Sequence, residues 1–428
     1  MNNIPTTPPS GFRDFTPADC VLRAEAIETI SRVYRSFGFS QIATSAVEDL
    51  AVLLGKGGGE NEKLIFKILK RGDKLEEAKA GGELADMGLR FDLTLPLARY
   101  YSKYGSTLPH PFKAFNIGPV WRAERAQKGR YREFYQCDAD IVGADSWTAE
   151  VDVISAILSA FKELGVNGVE VVLNDRSFVY DALAAAAVPD DKRIAACVII
   201  DKQDKMPREK MLAELEDLIG KESTEKLSQT LLTTTPNRDS AVGKEQFARL
   251  DAISAATGGK ARIDPSLMRG FDYYTSTVFE FRHPKFSGSI GGGGRYDKLT
   301  EKFGGQPVPA CGGSIGFERL LLILQEEGLA AAKFGKRICV TVFDETLRAR
   351  TLALAARLRG LGIAGLLVDV YPGAGKLKAQ FKYADTTGAD FALVMGPDEA
   401  AANKVNRKIL KTGEEAAMTF EQLEKSLS

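Results

Sequence analysis

Two stretches of the chain gather groups able to hold a polyanion. Residues 113–132 carry six basic side chains, Lys113, Arg122, Arg125, Lys128, Arg130 and Arg132, against one acid, Glu124. Guanidinium forks pair with phosphate or carboxylate oxygens through two parallel donors, so clamping phosphates is the chemistry this cluster suits. Apolar Phe112, Phe115, Ile117, Val120 and Trp121 precede it, and Phe134 and Tyr135 follow. That pattern predicts a hairpin with its feet in a core and its arginines aimed into a site; a solvated loop without a role is the competing reading. The second stretch, LMRGFDYYTSTVFEF at 267–281, sets Arg269, Asp272, Tyr273 and Tyr274 close together, and SIGGGGRYD follows at 289–297. Four successive glycines cost chain entropy. Backbone that must approach a ligand closely would explain them, and so would a tight turn.

Other chemistries are excluded by what is scarce. His110 and His283 are the only two histidines, which removes most zinc sites and most histidine acid/base catalysis. Gly312-Gly313-Ser314-Ile315-Gly316 matches the G-x-S-x-G nucleophile elbow, but that arrangement needs a histidine after the serine, and none follows His283. Gly373-Ala374-Gly375-Lys376 imitates the end of a phosphate loop. Leu377 stands where Ser or Thr is required and Val370 where the earlier glycine belongs, so it is no Walker A motif.

Composition narrows the class further. Lys+Arg at 57 balances Asp+Glu at 57, which excludes a strongly basic coat or an acidic tail but leaves local patches free to meet nucleic acid. The 44% hydrophobic and 27% charged fractions belong to an ordinary globular chain, not a disordered or fibrous one. Cys20, Cys137, Cys197, Cys311 and Cys339 are odd in number and form no C-x-x-C, which points to a reducing, cytoplasmic compartment. No apolar run nears the ~18 residues of a membrane span, and MNNIPTTPPSG lacks the basic start and apolar stretch of a signal peptide.

These residues need a scaffold. At about 150 residues per domain, 428 residues allow two or three domains. Thr16, Pro17 and Asp19 announce a first helix, with Val21, Ala24, Ile27, Ile30 and Tyr34 as its apolar face and Gly38 as its stop. The charged residues 60–82 read as a solvated excursion. A second helix begins near Ser146, with Val151, Ile154, Leu158 and Phe161 on one face, and VEVVLN at 169–174 reads as a strand. Residues 175–262, rich in Ala, Lys, Asp and Glu at helical spacing, form a helical insertion. Thr277–Arg282 alternates as a strand, and Gly316–Gln325 reads as a helix. From residue 335, strand, helix, strand, helix and strand alternate (338–343, 345–361, 366–370, 377–386, 391–395), predicting an α/β unit on a mostly parallel sheet. This unit has 14 Lys+Arg against 11 Asp+Glu.

Taken together and in order, the motifs resemble those of histidyl-tRNA synthetases, which are class II aminoacyl-tRNA synthetases. RFDLTLPLARY (90–100) resembles the amino-acid-binding strand and turn. VWRAERAQKGRYREFYQCDADIVG (120–143) resembles motif 2, and GGSIGFERLLLIL (312–324) resembles motif 3. RGFDYYTSTVFEF and SIGGGGRYD resemble the two histidyl signatures, and GKLKAQFKYADTTGADFALVMG (375–396) the terminal anticodon-binding domain. The resemblance implies an α+β fold: a class II antiparallel-sheet catalytic core in two parts, 1–174 and 263–334, the helical insertion at 175–262, and a C-terminal α/β anticodon-binding domain at 335–428. It implies a homodimer with ATP, Mg²⁺, histidine and tRNA(His) as its partners.

Residue roles follow from the same resemblance. The family's chemistry is attack of the histidine carboxylate on the α-phosphate of ATP, then transfer to the terminal ribose of the tRNA. Arg122, Arg269 and Arg319 would be the catalytic cations, with Arg122 bridging carboxylate and α-phosphate. Glu124 would read the adenine amino group, Arg132 would hold the outer phosphates, Phe134 would stack on the base, and Arg319 would complete the ATP clamp. Asp92, Thr94 and Gln136 would hold the ammonium and carboxylate end of histidine. Asp140 and Tyr274 would bond the imidazole nitrogens, with Tyr273 lining the pocket. No metal ligand is assigned among the side chains. Ser45 stands where motif 1 normally carries a proline, and Ser276 where glycine is frequent. Two rivals are a non-catalytic synthetase-like regulatory subunit of ATP phosphoribosyltransferase, and a general nucleic-acid-binding protein. Retention of Arg122, Arg269, Arg319 and the terminal unit argues against the first, and zero net charge against the second.

Overall fold

Apolar residues flanking the arginine cluster become the two longest strands of the protein, paired as a hairpin. The computed structural model describes residues 4–54, 60–126, 129–202, 206–233, 243–259, 261–269, 274–286, 288–328, 336–373 and 375–427. Two compact units divide the chain, residues 1–330 and 331–428. In chain order the strands of the first are β1 (Ser40–Gln41), β2 (Val47–Asp49), β3 (Lys67–Leu69), β4 (Ala85–Leu89), β5 (Phe112–Trp121), β6 (Glu133–Val142), β7 (Glu170–Asp175), β8 (Ala261–Ile263), β9 (Thr277–Arg282), β10 (Ser289–Arg295) and β11 (Ala310–Gly316). Eight of them form one sheet in the order β1-β5-β6-β11-β10-β9-β7-β8. The six central strands are antiparallel, and β1 and β8 add parallel edges.

One face of this sheet is packed and the other is open to chemistry. Cys137, Ala139 and Ile141 of β6 join a core with Ile30 and Tyr34 of the helix Pro17–Ser36 and Ile154 and Ile157 of the helix Thr148–Glu163. The first helix opens with a complete capping box between Thr16 and Asp19 and has Pro17 in its first turn, which satisfies orphan N–H groups. Its buried face is Leu22, Ala26, Ile30, Val33 and Tyr34. Ile30 and Tyr34 are buried as expected, while Val21 and Ile27 are half-buried and Ala24 is exposed; Leu22, Ala26 and Val33 complete the core-facing stripe. The second helix behaves similarly: Val153, Ile154, Ile157 and Phe161 are buried, while Val151 and Leu158 only flank them.

The charged residues 60–82 are not simply an excursion. β3 pairs with β4, and β4 with β2, as a small three-stranded sheet, with Ile65 buried beneath it against Leu50 and Leu53. The insertion leaves the main sheet after β7 and returns at β8. Its helices are Arg176–Ala185, Asp190–Ile200, Arg208–Ile219, Lys221–Thr230 and Lys244–Ala256. Asp175, fully buried, caps the first of these through Ser177 N at 2.9 Å and pairs with Arg249 of the last, so one carboxylate ties both ends of the excursion to the sheet.

In the second unit β12 (Arg337–Val340) lies between β13 (Leu367–Val370) and β14 (Phe391–Val394), all parallel. β15 (Lys404–Ile409) and β16 (Glu415–Thr419) then add an antiparallel hairpin. The sheet is therefore mixed, not mostly parallel. Lys404, Arg407 and Lys408 on β15 masked its alternation, and β16 is short and rich in alanine. Buried Gln380, on the helix Leu377–Thr386, donates to Val342 O and Gly375 O, both at 2.8 Å, and accepts from Val342 N at 2.9 Å.

Candidate active site

Register places chemically active residues in rows across the open face of the main sheet. Asn116, Asp138, Ser314, Gly292 and Glu280 are successive cross-strand partners on β5, β6, β11, β10 and β9. The next row is Ala114, Asp140, Gly312, Gly294 and Val278. Gln136, Asp138 and Asp140 alternate along β6, so their side chains share this face.

The glycines are explained by what lies over them. A Cβ on Gly292 would sit 2.6 Å from Arg269 Cζ, one on Gly294 2.9 Å from Tyr274 Cδ1, and one on Gly312 1.8 Å from Asp140 Oδ1. SIGGGG is therefore a buried strand and not a turn. It lacks side chains on this face because Arg269 and Tyr274 lie upon it, as Asp140 lies upon Gly312 of the neighbouring β11.

Over this face is a cavity of about 490 Å³. Arg122, Glu124, Phe134, Gln136, Arg269 and Arg319 all line it. Arg122 follows β5, donates from Nε to Phe91 O at 3.0 Å, and lies over the Phe134 ring at 5.1 Å. Arg269 pairs with Glu280 at 2.7 Å. Arg319, in the first turn of the helix Phe317–Glu326, donates to Ser289 O and lies over Phe286. Burial first, then repulsion from Arg130 and Arg269, pulls its pKa below the usual arginine value. Cations crowded in this way favour a polyanion between them.

Beneath the arginines lies a layer of buried carboxyls. Asp92 is 5% exposed and accepts from Leu95 N at 3.2 Å; burial pushes its pKa up to about 6. Asp138 rises to about 7 through burial, with Asp92 adding to the effect and bonds from Ser314 and Gln136 opposing it. Asp140 is raised by burial and by Asp138, and accepts a 2.5 Å bond from Tyr296 Oη. Buried carboxylates that resist ionisation are poised to accept a cationic ligand.

The remaining expected residues have other places. Thr94 begins the helix Thr94–Tyr104 beside Asp92 and is buried. Tyr274 packs against the cluster containing Tyr296 and Leu299. Asp92, Thr94, Asp140, Tyr274 and Arg132 are not among the residues that line the cavity; the Arg132 guanidinium bonds Glu124 O at 3.2 Å and Ser10 O at 3.3 Å. Tyr273, Asp272 and Lys128 lie outside the described residues. Ser45 bonds its own turn through Val47, and buried Arg90 staples that segment by donating to Thr44 O at 2.7 Å and Ser45 O at 3.3 Å. Asp138, Glu280, Tyr296 and Glu318 were not anticipated. Glu318 accepts from Arg13 at 2.5 Å and from Arg23 at 2.9 Å. Alternation in QCDAD was a sufficient signal for Asp138; Glu280 pairs with Arg269 and Arg282 near it in the chain, whereas the partners of Glu318, Arg13 and Arg23, are remote in sequence and left none. Among the described residues, no cluster of three or more His, Cys, Asp or Glu is arranged to hold a metal. None of their helices is long and apolar enough to cross a membrane.

An antiparallel sheet bearing a phosphate-type arginine clamp over an acidic floor defines a class of protein, and comparison with known proteins names the family. The family model for histidyl-tRNA synthetase matches residues 11–320, and the anticodon-binding-domain model matches residues 335–428. A histidine–tRNA ligase of Leifsonia xyli subsp. xyli is 39% identical over 426 residues, covering 93% of this chain and 97% of the relative. The crystal structure of histidyl-tRNA synthetase from Nostoc sp. PCC 7120 superposes with a TM-score of 0.82 at 27% identity, over 99% of each chain. A Bacillus halodurans structure described as an ATP phosphoribosyltransferase regulatory subunit/histidyl-tRNA synthetase shares the fold, with a TM-score of 0.70 at 18% identity, over 89% of this chain and 97% of that one. The chain belongs to the histidyl-tRNA synthetase family.

Proposed function

We propose that the protein acts as a histidine–tRNA ligase, joining histidine to ATP as the adenylate and passing the histidyl group to the 3′-terminal ribose of tRNA(His). The observation that carries this reading is one cavity where Arg122, Arg269 and Arg319 meet Gln136 of β6, whose next residues on the same sheet face are the buried Asp138 and Asp140. A transition state that joins a triphosphate to an amino acid needs these two environments side by side.

In the first step a histidine carboxylate oxygen attacks the α-phosphorus, the bond to the β-phosphate breaks, and pyrophosphate leaves. The protein supplies position and charge neutralisation rather than covalent chemistry. Arg122 bridges the carboxylate and the α-phosphate, and Arg269 faces that phosphate from the other side, exchanging its Glu280 partner for phosphate oxygens. Arg319 completes the clamp, Glu124 meets the adenine amino group and Phe134 its ring. Arg132 has a supporting part, holding the loop to Ser10 until the outer phosphates arrive. Mg²⁺ would be held by the phosphates of ATP and would neutralise part of their charge, with no side chain of this protein assigned to it.

Asp92, Thr94 and Gln136 take the ammonium end of histidine, and Asp140 and Tyr274, with Tyr273, take the ring. Such a pocket rejects isosteres because a wrong ligand leaves buried polar groups unpaired. Residues 175–262 serve as an insertion within the core. Residues 335–428 read the tRNA, and the working form is a cytoplasmic homodimer. Histidine-dependent ATP–pyrophosphate exchange tests the reading. Exchange with histidine and with no other amino acid is expected. Histidine binding without exchange would instead favour the regulatory-subunit reading.

A further inference from the structure

Gln136 is the member of the amino-acid pocket whose chemistry is two-sided. Its amide donates from one end and accepts from the other, so a ligand meets a different group depending on which end faces it. The Nε2 end lies 3.3 and 3.5 Å from the two Asp138 carboxylate oxygens and 3.4 Å from Ser314 Oγ. The Oε1 end is buried, and nothing among the described residues donates to it. Asp138 is 3% exposed and sits on β6 between Gln136 and Asp140, on the same sheet face.

We propose that Asp138 is a positioning residue for amino-acid recognition: by accepting from the Gln136 amide nitrogen, it turns the amide oxygen toward the α-ammonium of the substrate. This rests on the histidine-activating reading above and adds to it a residue that acts through Gln136. The logic is one of donors and acceptors. An ammonium carries donors alone, so it is stabilised by Oε1 and opposed by Nε2. Burial lifts the Asp138 pKa to about 7, so binding is read at pH 8, where the ionised carboxylate accepts only and forbids the flipped orientation of the amide. A buried acceptor left unmatched costs the desolvation penalty of that group, and the arriving ammonium removes the cost. Ser314, opposite Asp138 on β11, supports the same end.

Equilibrium binding to the full-length chain separates this role from general support of the pocket. Three probes serve: histidine, histidinol (ammonium but no carboxylate) and imidazole-4-propionate (carboxylate but no ammonium). Asp138→Ala is expected to weaken histidine and histidinol by about tenfold, as loss of roughly one hydrogen bond's worth of orientation would. Imidazole-4-propionate should be unaffected. In a Gln136→Ala background, Asp138→Ala should add nothing. If Asp138→Ala does not fold, Asp138→Asn replaces it; its amide no longer dictates the orientation of Gln136, and the same selective loss is expected. Equal weakening of all three probes, or no weakening of any, overturns the positioning role while leaving the histidine reading intact. A wild-type chain that binds none of the three overturns both.

Discussion

Gly312→Ala tests the site through a single methyl group. Gly312 lies within β11 and does not have a positive φ, so the backbone itself accommodates alanine. The new Cβ would lie 1.8 Å from Asp140 Oδ1, 2.6 Å from its Cγ and 3.1 Å from Tyr296 Oη. The carboxylate must therefore turn away, and its 2.5 Å bond from Tyr296 is lost with it. Overpacking a core site costs ~1–3 kcal/mol, which should lower the melting temperature by a few degrees. A misplaced Asp140 also stops bonding the imidazole. A hydrogen bond to a charged group is worth ~1.5–3 kcal/mol, a loss of roughly 10- to 150-fold in affinity.

Pyrophosphate exchange at varied histidine and at varied ATP reads the result. The histidine KM should rise by that factor, while the ATP KM stays within about threefold of wild type, given the context dependence of such terms. Gly292→Ala is the matched control, because its Cβ would meet Arg269 Cζ at 2.6 Å and Phe279 O at 2.7 Å. Its effect should fall on kcat, through a displaced phosphate cation. A Gly312→Ala enzyme that is destabilised but has an unchanged histidine KM, or one whose two KM values rise together, would refute the claim that Asp140 faces the amino acid.

Other outcomes follow from the same geometry. Arg269→Ala should reduce adenylation by orders of magnitude, since one well-placed transition-state donor is worth ~3–4 kcal/mol; near-normal exchange would remove Arg269 from the mechanism. Asp92 and Asp138 hold protons up to about 6 and about 7, so the histidine KM should climb as pH falls through that range and the carboxylates neutralise, measured with ATP saturating. Because both pKa values are raised above their unfolded values, the native state binds these protons more tightly. The unliganded protein should therefore lose stability as pH rises from about 4, the ordinary aspartate value, to about 6 for Asp92 and about 7 for Asp138, by on the order of 1 kcal/mol per pH unit per carboxyl, and Asp92→Asn should flatten that slope in urea titrations. A chain ending at Lys333 should keep exchange but lose most tRNA charging at low tRNA, because its phosphate contacts from Lys376, Lys378, Lys382 and Lys404 are gone; equal charging would show that the terminal unit is not the tRNA reader. Sedimentation at micromolar protein should find a homodimer, with an interface above ~2,000 Å² as for obligate pairs, and a fully active monomer would refute it.

The elements that repeat a period were legible before any coordinates. Thr16–Pro17–Asp19 gave the start of the first helix because a cap is local chemistry, satisfied within one turn. The strand Thr277–Arg282 was readable to the residue, since its phenylalanines alternate with Glu280 and Arg282. What escaped depended on partners far away in the chain. On the first helix Ile30 and Tyr34 were readable, but Ala24 and Ala26 are equally apolar, and only contact with the sheet decides which of them is buried. SIGGGGRYD could not be resolved between turn and strand, because glycine has no side chain to show a period. Its meaning lies in Arg269 and Tyr274, which rest upon it. The acidic partners Glu280 and Glu318 were invisible for a related reason: a carboxylate that pairs with an arginine has no signature until the arginine is seen beside it.

Those restraining carboxylates bear on how the site works before any substrate is bound. Arg269 is held by Glu280, which is shared with Arg282 at 3.3 Å, and Arg130 approaches Glu124 at 3.7 Å. Cations facing one cavity would otherwise repel one another and swing toward water, and repulsion is already felt at Arg319. Pairing keeps them aimed, so less reorganisation remains when phosphate oxygens arrive. A polyanion that displaces Glu280 gains the cation and leaves the carboxylate to Arg282, so no buried charge is stranded. The fold alone does not distinguish a catalyst from a regulator, since a regulatory-subunit-like structure shares it at a TM-score of 0.70. The distinction lies in this exchangeable pairing: a protein that merely bound histidine would need the acidic floor of β6, but it would have no use for arginines held ready over the neighbouring glycines.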